Sequence, residues 1–72
     1  MDFRSLTAKQ FIEDYGGKEL MAEYTPVLLK FPLKLFYKKT CGDIFDLVLK
    51  KGHVTPEAAK ALQDAFEAKY PD

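Results

Sequence analysis

The sequence predicts an all-α fold, a compact domain of four to five short helices. Three observations carry this. Apolar residues recur at i, i+3, i+4 and i+7 in several windows. Each window follows a threonine placed to cap a helix, at Thr7, Thr25, Thr40 or Thr55. Only one segment alternates as a strand would, and a lone strand has no ladder partner. The expected organisation is a single helical domain over residues 1–72.

Thr7 and Gln10 have capping-box spacing, and Ala8, Phe11, Ile12 and Tyr15 then form one stripe. A helix is expected over 7–15, ended by Gly16-Gly17, because glycine adopts the left-handed conformation readily. Residues 18–24, KELMAEY, are strong helix formers, with Leu20, Met21 and Tyr24 on one face. Thr25-Pro26 reads as an N-cap followed by proline at the first helical position. A third helix is expected over 26–38, kinked where Pro32 removes a hydrogen bond and clashes with the Leu28 carbonyl. The same stretch reads alternatively as an edge strand, with Phe31, Leu33, Leu35 and Tyr37 alternating with Pro32, Lys34, Phe36 and Lys38.

Thr40 and Asp43 repeat the capping spacing and open a helix over 41–51. Asp43 near its start and Lys50-Lys51 near its end suit the helix dipole. Asp46 and Lys50 can pair at i,i+4. The apolar run of residues 44–49, broken only by Asp46, makes this the expected most buried helix. Thr55-Pro56 opens the last helix, 56–69. Its stripe is Ala58, Ala59, Leu62, Ala65 and Phe66, and its alanines allow close approach to the 41–51 helix. The expected core is Phe11, Ile12, Tyr15, Leu20, Leu28, Leu35, Ile44, Phe45, Val48, Leu62 and Phe66.

A chain of 72 residues buries only about 60–65% of its unfolded surface, so every large apolar side chain counts. A composition 47% hydrophobic and 14% aromatic is far from that of a disordered chain. One cysteine and one histidine exclude an internal disulfide and a Cys/His metal cluster. No leader pattern or membrane-length apolar run stands out, and the lone thiol suits a reducing, intracellular (cytoplasmic) setting. A net charge of zero argues against a general nucleic-acid coat.

No residue set points to catalysis, a cofactor or a metal. Cys41 would sit in the first turn of a helix beside Lys38 and Lys39, which favours a thiolate. It lacks a positioned base, since His53 is about a helix length away, so a small buried hydrophobe is the plainer reading. His53 reads as a surface loop residue. The glycines match no phosphate-binding pattern. Helices 41–51 and 56–69 have a helix-turn-helix outline, but Glu57, Asp64 and Glu67 on the second would repel phosphates. The pair therefore reads as an antiparallel hairpin.

The distinctive feature is Tyr24–Lys39. It has no acidic residue, four lysines and nine large apolar or aromatic side chains. Residues 24–42 carry a local charge of +4 in a neutral chain. The candidate contact residues are Lys30, Phe31, Leu33, Lys34, Phe36, Tyr37, Lys38 and Lys39. The surplus of apolar surface predicts a small intracellular, non-enzymatic protein-interaction module that self-associates as a homo-oligomer, with another protein as the other possible partner. The alternative is a nucleic-acid binder, with the aromatics stacking on bases and the lysines meeting phosphates. The absence of arginine from the segment weakens that alternative.

Overall fold

Three threonine hydroxyls start three helices. In the structure, a computed structural model describing residues 2–71, the main helices are α1 (Ala8–Asp14), α2 (Gly17–Tyr24), α3 (Cys41–Lys51) and α4 (Pro56–Lys69). Thr7, Thr40 and Thr55 accept from the backbone N–H of Gln10, Asp43 and Ala58. Gln10 reciprocates to the Thr7 N–H at 3.1 Å, completing the capping box. Gly16 takes the left-handed conformation (φ 66°) that turns the chain from α1 into α2. Gly17 answers a different demand. A Cβ there would lie 2.8 Å from the Phe11 carbonyl oxygen and still closer to the Phe11 ring.

The continuous kinked helix expected over 26–38 does not form. Two short 3-10 turns replace it, Pro26–Lys30 and Leu33–Phe36. Phe31 is forced into extended backbone (φ −89°, ψ 155°) by the proline that follows. Thr25 precedes the first turn, but its side chain does not cap it, and its buried Oγ1 has no hydrogen-bond partner. No strand occurs among the described residues. The one β feature is an isolated antiparallel bridge between Thr7 and Thr40. There the Ala8 N–H donates to the Lys39 carbonyl at 2.8 Å and the Cys41 N–H to the Leu6 carbonyl at 2.7 Å. The first turns of α1 and α3 are thus laced together by their own backbones.

A third 3-10 turn, Phe3–Ser5, holds the centre of the core. Phe3 is fully buried, with ring centroids 5.1 Å from Phe11, 5.3 Å from Phe45 and 5.6 Å from Phe66. This turn lies against α3 and α4, while α4 packs mainly on α2. The close α3–α4 hairpin expected from the alanines is therefore displaced by an aromatic plug from the N-terminal turn. Asp46 likewise forgoes Lys50 and takes Arg4 at 2.8 Å, beside the plug.

Phe11, Leu20, Leu28, Phe45, Val48, Leu62 and Phe66 are buried as expected. Ile12, Tyr15 and Ile44 are half-buried and pack against that core. Leu35 is not core at all, being 76% exposed. Helix α3 holds more buried residues than any other helix, Cys41, Gly42, Phe45 and Val48, and leaves Leu47 exposed on its other side.

Candidate functional site

The change from α to 3-10 geometry over 26–36 decides what this segment presents. A 3-10 helix repeats every three residues, so i and i+3 eclipse. Leu33 and Phe36 are one such pair within the second turn, and the Phe31 N–H closes the first turn onto the Leu28 carbonyl three residues back. All four face the same way and line one groove. Leu35, within the second of these turns, lies off the groove-lining positions and is 76% exposed, so a 3.6-residue stripe misplaces it.

The groove has a volume of about 270 Å³. Its far wall is α3, through Ile44, Leu47, Val48 and Lys51. Its floor reaches the core at Phe11, Met21, Cys41 and Phe45. Ala8 and Ile12 close the α1 side, and His53 stands at the loop end. Every lining side chain except Lys51 and His53 is apolar, and none is acidic. The His53 ring meets the Phe31 ring edge-on at 5.1 Å.

A second, more open depression adjoins the first across Phe31 and Leu33, which line both. Its other liners are Lys18, Leu29, Lys34 and Tyr37. Lys18, Lys34 and Lys51 are all exposed and have no ion-pair partner among the described residues.

The eight candidate contact residues are therefore divided by the structure. Phe31, Leu33 and Phe36 come together in the main groove, and Lys34 and Tyr37 join them in the second depression. Lys30, Lys38 and Lys39 are exposed but line neither. The α3 half of the site (Ile44, Leu47, Lys51) and His53 were not among the sequence candidates. The signal that could have found α3 was its surplus of apolar residues at 44–49, more than one helix face can bury.

The rings do not form an open stacking platform. Phe31 and Phe36 are half-buried walls of the groove, and Tyr37 is half-buried beside them. Cys41 is 3% exposed, and burial pushes its thiol up from 9.0 to about 12. Desolvation outweighs the helix terminus and nearby lysines, the opposite of the shift a nucleophile needs. Cys41 and His53 both line the groove but form no hydrogen bond with each other. Among the described residues, no cluster of His, Cys, Asp or Glu could hold a metal ion. Among those residues, too, no helix is long and apolar enough to cross a membrane.

Comparison with family models, with curated proteins and with solved structures finds no match to this chain.

Proposed function

We propose that this chain is a small, non-enzymatic, intracellular protein-interaction module. It docks its partner in the groove between α3 and the 26–36 segment. The observation that carries this is an apolar groove floored by the core itself yet open at its rim, in a domain too small to leave apolar surface idle. Phe31, Leu33 and Phe36 serve as one lip and Leu47 as the other. Large rigid apolar anchors set in such a cleft provide most of the binding energy in protein interfaces.

A second copy of this chain is the second reading, favoured by one observation. Leu35, 76% exposed, projects from the same lip that bounds the groove. Knob and hole on one face can be self-complementary. Sedimentation equilibrium at low and high salt separates the two, since only self-association gives a dimer in the absence of another protein.

The module reading is tested by selecting binders from an unconstrained displayed peptide library. Peptides that also bind the Leu47→Glu variant are removed. Leu47 is exposed and central to the groove wall, so the substitution places a carboxylate among the anchors while sparing the core. Recovery of peptides that need an intact groove is the expected outcome. Failure to recover any peptide that distinguishes the two proteins contradicts the reading.

A further inference from the structure

We infer that the groove's partner is an acidic amphipathic helix, held by apolar anchors in the groove and by carboxylates against a rim of lysines. This rests on the docking reading above and adds the chemistry of the occupant. Three observations argue for it.

The first is charge. Lys51 lines the main groove, and Lys18 and Lys34 line the depression that continues it. No acidic side chain lines either, and none of the three lysines has an ion-pair partner among the described residues. Opposite charge around an apolar contact steers encounter and fixes orientation. The second is form. A partner strand needs a free sheet edge, and the described residues contain no strand. A helix instead offers apolar residues at i, i+3, i+4 and i+7 to a groove of this kind. About 14 residues of helix extend roughly 21 Å, comparable to the 25 Å middle dimension of the protein. The third is the cost of the competing occupant. Two copies joined face to face about a two-fold axis would bring two lysine-rimmed faces together, with no acidic liner of either groove to meet Lys18, Lys34 and Lys51. Like charges opposed across an interface disfavour it.

The test is a displayed library of 14-residue helices with three fixed apolar positions on one face. All flanking positions vary between Glu, Gln and Lys. Sequencing after selection on the wild-type protein at low salt is expected to show Glu enriched over Lys by at least about 10-fold at the flanking positions. Raising the salt shrinks that preference. On the Lys34→Glu/Lys51→Glu double variant the preference reverses toward Lys, a change that a merely structural role for these lysines would not produce. Binding vanishes on Leu47→Glu. Enrichment of Lys on the wild-type protein, equal recovery of Glu and Lys, or binders that persist on Leu47→Glu overturn the inference. So does saturation of the groove by decanoate where no helix of either charge binds. The unconstrained selection then tells the two failures apart. Groove-dependent peptides that are not acidic helices defeat this inference alone, whereas no groove-dependent peptide at all defeats the docking reading with it.

Discussion

Phe3 joins three helices of this fold from a turn outside all of them. It is fully buried and touches aromatic rings from α1, α3 and α4 at once. Its removal leaves a cavity at a junction that three elements share. Phe3→Ala should cost about 3–5 kcal/mol in urea denaturation, whereas Leu35→Ala should lie within about 0.5 kcal/mol of wild type. Nothing in the sequence marked Phe3 this way. It lies outside every periodic window, in a three-residue turn, and its burial comes from tertiary packing alone. Cys41 shows the reverse case, a residue whose local neighbours mislead. The lysines before it and the helix start suggest a reactive thiolate, yet burial against α1 and the groove floor holds the thiol at about 12. Iodoacetamide at pH 8 should alkylate native Cys41 far more slowly than the urea-unfolded chain. The same shift sets a pH dependence. The unfolded thiol ionises from about pH 9 and the folded one only near 12, so the protonated form is the one that folding favours. Wild type should lose stability relative to Cys41→Ala as the pH rises from 9 toward 12, and keep a constant difference below that window.

At the scale of elements, the helices that follow a capped threonine were legible, and the segment lacking a working cap was not. Helices over 41–51 and 56–69 form as their caps and stripes predict. Thr7 and Thr40 go further than capping, since their backbones also form the bridge that ties α1 to α3. Thr40→Ala removes one hydroxyl acceptor and leaves the bridge intact. It should cost about 1 kcal/mol by thermal or urea unfolding. A loss several times larger would mean that the bridge depends on the side chain. The 26–38 stretch has the same Thr-Pro opening as α4, but Pro32 arrives six residues later and allows no α-helical run to establish itself. The chain settles for two 3-10 turns, and the repeat drops from 3.6 to three. That single change moves Leu35 from core to solvent and aligns Leu28, Phe31, Leu33 and Phe36 along one groove. The sequence located the unusual segment, and five of its eight candidate residues line the two depressions. It could not give the opposite wall, because which faces of α3 stay open depends on where the Phe3–Ser5 turn lodges.

For the whole molecule, a neutral chain conceals an uneven surface. The acidic residues of α1, α2 and α4 balance lysines gathered along 30–39 and at the end of α3. The core is organised around Phe3, and the groove opens where the 26–36 lip stands off α3. For a partner to dock there, the groove must be open to water in the free protein, its walls stable without an occupant. The most direct measurement is the urea-unfolding free energy of Leu47→Glu. An open groove hydrates the new carboxylate, which also sits one turn before Lys51 on α3, an orientation that favours a helical ion pair. The expected loss is about 1 kcal/mol or less, with the unfolding slope unchanged. A loss of about 3 kcal/mol or more would show that Leu47 is enclosed in solution, and that the groove is part of the core and not a place for a partner.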